Sequence, residues 1–397
     1  MRISTSQFQA VSIGSVLQQQ AKLSKTQQHL ATGQRILTPA DDPVGAARVL
    51  DLTASIGELQ RLQDNAGMAQ TRLGSEEAVL VEVGNLLQRV RELAVQANND
   101  SNSATERRFI AAELRERFEQ LVQLANSTDG NGEYLFAGAA SREQPFSRTA
   151  TGVVYNGDQN ERMVQVGPTR QLVENHTGFD VFMKVPNGNG TFSTQPAAGN
   201  RGTGVIDSGR VLDPEGGAVF PATILFRESA SGRLEYAVNG SGDWQPFEPG
   251  EAIRFDGIEV TITGVPADGD SFVLERSRPQ SVFVTLQNLI DALESGGDNV
   301  IDRARVHNAI GRAIADLDQA QENVLRVRAE VGARLYAIEA ELDTNENALL
   351  ELKSAVSKIE DLDYAKAVSE FNLQLVGLQA AQQSYVRIQG LSLFNLL

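Results

Sequence analysis

Apolar residues recur with coiled-coil spacing through the last third of the chain. Ile310, Ile314, Leu317, Gln321, Val324, Arg328, Val331, Leu335, Ile338, Leu342, Asn345, Leu349, Leu352, Val356 and Ile359 follow at alternating steps of four and three. Twelve of these 15 positions are apolar, and so sustained a heptad pattern predicts one long, packed helix. Asp363 and Lys366 break it, which sets a boundary near 360–366. A second helix follows, with Val368, Phe371, Leu375, Leu378, Ala381, Tyr385, Ile388 and Leu391 along one face, and it runs into an apolar tail containing Leu393 and Phe394. The N-terminal region mirrors this plan. Ile13, Val16, Gln20, Leu23, Gln27 and Leu30 alternate by three and four until Thr32-Gly33, and Pro39 and Pro43 keep the helix stopped. A long stripe then runs through Ala69, Leu73, Glu76, Leu80, Val83, Leu87, Val90, Ala94 and Ala97. Asn98 to Asn102 reads as a turn, and Ser103-Ala104-Thr105-Glu106 as a capping box that opens a shorter helix to about Ser127.

The middle changes period. Ten of the 12 prolines and 22 of the 35 glycines lie between residues 130 and 285, where they punctuate short strands. Thr223–Phe226, Leu234–Val238, Ile258–Ile262 and Ser271–Leu274 read as strands. Val153–Tyr155 and Arg162–Val166 flank Asn156–Asn160 as a hairpin, and the Gly/Asn-rich stretch Asn187–Gly209 reads as a loop or mobile insertion. The predicted class is mainly α with a β-rich inserted domain. The N- and C-terminal regions form a long antiparallel, coiled-coil-like rod, with the insertion at its far end.

Composition narrows the function. The chain of 397 residues carries 35 Lys+Arg against 51 Asp+Glu, a net −16, which disfavours nucleic acid as a partner. With no Cys, disulfides and thiolate chemistry are excluded. No apolar run reaches the roughly 18 residues of a membrane span, so no membrane anchoring is expected. The start of the chain has no continuous apolar stretch or small-residue cleavage site, so no Sec-type leader is expected. The charge is uneven. Residues 1–40 and 371–397 hold five basic residues and no acidic one, so the residues between them carry −21.

Candidate chemistry is sparse. His29, His176 and His307 have no metal-ligand spacing and no nucleophile motif beside them, and read as surface or partly buried helix residues. Gly199-Asn200-Arg201-Gly202-Thr203-Gly204 is glycine-rich but lacks the strand and helix of a phosphate cradle. Asp129–Tyr134 resembles a calcium loop, yet lacks the sixth-position glycine and the distal Glu, and reads as a helix-to-strand turn. No catalytic residue, metal site or cofactor is expected. Gln321, Arg328 and Asn345 in the heptad seam are either ordinary polar substitutions or register-setting residues. The terminal amphipathic helices, 10–31 and 368–392, are where function is expected. They pair within the chain, or order on meeting other subunits.

The segment Leu30-Ala31-Thr32-Gly33-Gln34-Arg35-Ile36-Leu37-Thr38-Pro39-Ala40-Asp41-Asp42-Pro43-Val44-Gly45 resembles the N-terminal signature of the bacterial flagellin superfamily. Its Asp-Asp-Pro-x-Gly form is similar to that of the hook–filament junction branch, and Lys358–Ala365 is similar to the C-terminal signature. Tyr134–Gly138, Phe255-Asp256-Gly257, Pro266–Phe272 and the ending Leu378–Leu397 are also junction-like, whereas 175–250 carries no resemblance.

The resemblance implies a structural protein of the flagellum. It would be exported through the type III apparatus without a cleaved signal and would act outside the cell. Implied partners are the first hook-associated protein, flagellin, further copies of the chain, and an export chaperone on the C-terminal helix. Residues 1–44 and 362–397 would form an inner tube layer that orders on assembly. Residues 45–174 and 280–361 would form a helical rod with a hairpin, and 175–279 an outer β-rich domain. Ile13, Val16, Leu23, Leu30, Phe371, Leu375, Leu378, Tyr385, Leu393 and Phe394 are the expected assembly residues. Gly33, Arg35, Asp41, Asp42, Pro43, Gly45, Glu360 and Asp361 are the expected connector. The alternative is a flagellin that builds the filament itself.

Overall fold

The computed structural model describes residues 5–150, 152–213 and 217–394, and within the terminal helices the side chains of residue 7 and from 9 through 387. Leu393 and Phe394 are therefore placed on a helix by their backbone alone, and the tail 395–397 lies outside the described residues. Six α-helices are present: α1 (Thr5–Thr32), α2 (Pro43–Ala97), α3 (Ala104–Ala125), α4 (Val282–Ser295), α5 (Val300–Glu360) and α6 (Tyr364–Phe394). Strands fill the interval between α3 and α4. The chain divides into two compact units. One comprises 1–65, 167–169 and 341–397, the other 66–166 and 170–340, and α2 and α5 contribute to both.

In the larger unit the predicted stripe of α2 is buried without exception from Ala69 to Ala97, as are Ile310, Leu317, Val324, Val331 and Ile338 of α5. Ala313, Ala320 and Val327 are buried too, so the covered face of α5 is wider than a two-helix seam. Two of the polar seam residues pair across helices: Gln321 Nε2 donates to Gln88 Oε1 at 2.9 Å, and Arg328 donates twice to Glu77 Oε1 at 2.8–2.9 Å. Such matched pairs fix one register, since a shift by a heptad would leave both partners unsatisfied. Asn345, in the smaller unit, is almost wholly buried. The capping box of α3 is complete, with Ser103 and Glu106 satisfying each other's backbone N–H groups.

Two readings of the middle are corrected. Gly152–Tyr155 pairs with Phe146–Thr149, and Met163–Gln165 with Gln171–Val173, so the two segments flanking Asn156–Asn160 do not pair with each other. The intervening loop folds instead around 136–139. Asp158 Oδ1 accepts from Ala139 N at 2.8 Å, and the Tyr155 hydroxyl donates to the carbonyls of Phe136 and Asp158. The stretch Asn187–Gly209 is not a loop throughout, because it holds the strands Phe192–Pro196 and Val205–Ile206. Asn189 organises the turn by accepting from Phe192 N and donating to Ser208 O.

The four other predicted strands are present and join a two-sheet sandwich. One sheet runs, in spatial order, Gln245–Pro246, Leu234–Val238, Ala222–Glu228, Ser271–Arg276 and Phe192–Pro196, with every neighbour antiparallel. The other centres on Ile258–Thr263, flanked by Ala252–Phe255 and by Val205–Ile206 with Arg210–Val211. Inward residues of both, including Phe226, Phe272, Ile224, Val260 and Ile262, form one buried cluster. The turn at Asp256-Gly257 has positive φ at both positions, +46° and +76°, as a tight two-residue hairpin requires.

Candidate functional site

The smaller unit contains both break points, and they meet. α1 ends with Gly33 at φ +76°, whose N–H bonds back to His29 O at 2.9 Å, the left-handed helix stop that glycine supplies at least cost. A Cβ at Gly33 would stand 2.9 Å from the Tyr364 hydroxyl. The chain then runs antiparallel to the end of α5. Arg35 N donates to Glu360 O at 2.6 Å, and Leu362 N to Gly33 O at 2.9 Å, with Gln34 opposite Asp361. The Arg35 guanidinium donates to Ile359 O at 2.8 Å and to Asp42 Oδ2 at 3.2 Å, so it neutralises the negative C-terminal end of α5 while tying it to the start of α2.

Each residue of the Asp-Asp-Pro-x-Gly motif has a separate task. Asp41 Oδ2 accepts from Leu37 N, Thr38 N and the Thr38 hydroxyl, while its other oxygen pairs with Lys25 of α1. Asp42 caps α2 by accepting from Gly45 N at 2.9 Å. Pro43 occupies the first helical position, where its missing N–H costs nothing. Gly45 is required by space, since a Cβ there would come within 2.7 Å of Ile36 and 2.6 Å of the Asp42 carboxylate. Across the joint, Asp361 accepts from the Ser357 hydroxyl, and Asp363 caps α6 by accepting from Lys366 N at 3.1 Å.

The joint is sensitive to acid. Lys25, then the Thr38 and Leu37 N–H groups, hold the Asp41 carboxyl well below the usual carboxylate range. The Gly45 N–H, then Arg35, lower that of Asp42. A depressed folded value stabilises the joint fully above the unfolded carboxyl range, about pH 4, and that stabilisation is lost as pH falls toward the folded value. Thermal melts of the parent and Asp41→Asn should therefore differ most at neutral pH and converge in acid. A difference independent of pH would contradict this.

α1 and α6 pack against each other. Val16, Leu23 and Leu30 lie half-buried in this seam, as do Phe371, Leu378 and Tyr385, and the Thr26 hydroxyl donates to Gln374 Oε1 at 2.9 Å. Ile13 and Leu375 do not lie in it. Both are exposed on the outer faces, with Val11, Leu17, Val368, Leu373, Val376 and Val386. Each terminal helix thus carries apolar residues outside the seam that the pair leaves uncovered.

The remaining candidate groups serve the fold. Asp129 Oδ1 accepts from Asn131 N and Glu133 N and its Oδ2 pairs with Arg72 at 3.0 Å, so the calcium-like loop is closed by its own chain. The glycine-rich 199–204 segment does cradle an anion, the buried carboxylate of Asp270, which accepts from Arg201 N, Gly202 N and Ala267 N at 2.8 Å each. His176 is buried, with Nδ1 2.7 Å from Glu76 Oε1 and Nε2 3.3 Å from Glu330 Oε2. Its role is structural, but nothing local in the sequence links it to carboxylates 100 and 154 residues away. Among the described residues no cluster of His, Asp and Glu could hold a metal ion, and no helix is long and apolar enough to cross a membrane.

Comparison with known proteins accounts for this architecture. Residues 3–141 match the model of the bacterial flagellin N-terminal helical region, and 314–397 that of the C-terminal helical region. Flagellar hook-associated protein 3 of Salmonella typhimurium is 25% identical over the whole chain and 99% of its own length. The crystal structure of hook-associated protein 3 from Legionella pneumophila is 30% identical, with TM-score 0.74, covering 78% of this chain and 98% of that one. The chain belongs to the hook-associated protein 3 family. A second member, FlgL of Xanthomonas campestris, is 32% identical with TM-score 0.71 over 77% of this chain and 99% of that one. Flagellins match less well: that of Clostridium tyrobutyricum is 26% identical over 90% of this chain. Like the rest of this family, the chain is a structural flagellar component and not an enzyme.

Proposed function

We propose that the chain forms the layer joining the flagellar hook to the flagellin filament, assembling through α1 and α6. The observation that carries this reading is the set of exposed apolar residues outside the α1–α6 seam, on terminal stretches, 1–40 and 371–397, that contain no acidic side chain. Apolar surface of this kind gains about 25 cal/mol per Å² when covered, and in a closed-packed tube each uncompensated carboxylate would be repeated on every subunit. The acid of the chain sits in the exposed body instead.

In this reading 1–44 and 362–397 form the inner layer, 45–174 and 280–361 the helical layer, and 175–279 the outer domain. The first hook-associated protein lies on one side and flagellin on the other, with further copies alongside. The same exposed faces of α6 suit a cytoplasmic chaperone before export through the type III apparatus. Sedimentation of the purified chain tests the reading: it should yield monomers or short assemblies alone and join flagellin when mixed with it. Long filaments from the chain alone would make it a flagellin.

A further inference from the structure

The β-sandwich has a core of its own, and its buried cluster contains no residue of α4 or α5. Its attachment to α5 is of a different kind. Arg305, Asn308, Arg312, Asp316 and Gln319 recur at steps of three and four along one face of that helix. Four of them reach or line the approach to the sandwich segment. Asn308, only 3% exposed, donates to Gly204 O at 2.9 Å and accepts from Ile206 N at 3.0 Å. Asp316 accepts from Gly188 N at 2.6 Å and from Gln280 Nε2 at 2.8 Å. Arg305 donates to Asn200 O at 3.2 Å, and a Cβ on Gly190 would stand 2.9 Å from Gln319.

Between these contacts the surfaces part. A cleft of about 450 Å³ opens there, with Ser193 and Glu275 on the sandwich side, Asn288 and Asp291 of α4, and Arg312 and Asp316 of α5. Hydroxyls, amides and charges line most of it, and its apolar lining is confined to small side chains, Ala292, Ala309, Ala313 and Ala315. Arg312 projects its charge among these groups without a hydrogen bond or ion pair among the described residues. Burial pushes the Asp316 carboxyl up, beyond what its hydrogen bonds to Gly188 and Gln280 recover.

The chain enters and leaves the sandwich side by side. Val185–Pro186 pairs with Pro279–Gln280, and Asn187 is bonded to Arg278 and Ser277 immediately beyond. A body with its own core, one two-stranded neck and a largely polar attachment is built to separate from its support with little loss of apolar burial.

We propose that Asn308 and Asp316 form a releasable latch, and that the sandwich pivots on the 185–187 and 278–280 neck when it opens. The chain has no Cys, so a label pair at Ser231→Cys and Glu322→Cys, both exposed positions, reports the sandwich-to-α5 distance by electron–electron spin resonance. Trp244, the only tryptophan, stacks 4.0 Å beneath Arg227 in the sandwich and reports whether that body stays folded. In the Asn308→Ala, Asp316→Ala double variant the distance distribution should gain a second, longer population while Trp244 emission and helical circular dichroism are unchanged. Asp316→Asn keeps the shape but loses one acceptor, and should give a smaller second population. A distribution as narrow as the parent's in the double variant would overturn the latch. So would loss of the Trp244 signal with the contact, because the sandwich would then depend on α5 for its fold.

Discussion

The double variant Val11→Glu, Leu373→Glu should fail to assemble while melting like the parent. Both residues are exposed, at 67% and 70%, on the outer faces of α1 and α6, so the charge stays in water in the free chain. In the assembled layer proposed for these helices the same carboxylates would be buried against a neighbouring copy. Uncompensated burial of one charge costs several kcal/mol, and each 1.4 kcal/mol is a tenfold loss in association. Two such sites on every subunit should reduce incorporation into hook–filament assemblies below detection. Thermal melts and helical content serve as controls. A variant that assembles normally would remove these faces from the interface.

The second large effect lies in the body. Phe182→Ala should lower the stability of the larger unit by about 3–5 kcal/mol, read by denaturant unfolding. Phe182 is almost fully buried, and its ring sits 5.3 Å from Phe136, 5.5 Å from Phe146 and 6.0 Å from Phe283. It therefore ties a single π-helical turn, Phe179–Met183, to the segments before the sandwich and to α4. Phe182→Leu should recover most of the loss, since apolar volume rather than a polar bond is at stake. A loss under 1 kcal/mol for the alanine variant would show that the aromatic cluster does not bear on folding.

What could be read in the sequence follows from the range of the forces involved. The heptad seam of α5, the stripe of α2, the Ser103–Glu106 cap and the stops at Gly33 and near 361 all rest on interactions within a few residues, and each is found where the pattern put it. The sandwich strands were legible for the same reason. Asn156-Gly157 misled, because a strong hairpin dipeptide cannot reveal that Tyr155 and Asp158 are engaged by 136–139. The Asn187–Gly209 stretch misled because its few apolar residues, Phe192 and Ile206, are covered only once distant strands have assembled.

At the connector, the helix stops at Gly33, Pro39 and Pro43 and the motif residues were visible in the sequence. The bond from Arg35 to the end of α5 and the pairing of Lys25 with Asp41 were not, because they join segments that the sequence separates or assigns to different helices. On α1 and α6 the phase was ambiguous. A helix with apolar residues on more than one side leaves its seam undecided, and Ile13 and Leu375 lie outside the seam that forms.

The most direct measurement uses isolated hooks capped with the first hook-associated protein. Purified chain is added, the hooks are washed, and flagellin is then supplied and filament growth counted by electron microscopy. Growth should occur only on hooks that received the chain, and the Val11→Glu, Leu373→Glu variant should not replace it. Filaments growing equally well on hooks that never received the chain would contradict its role as the junction.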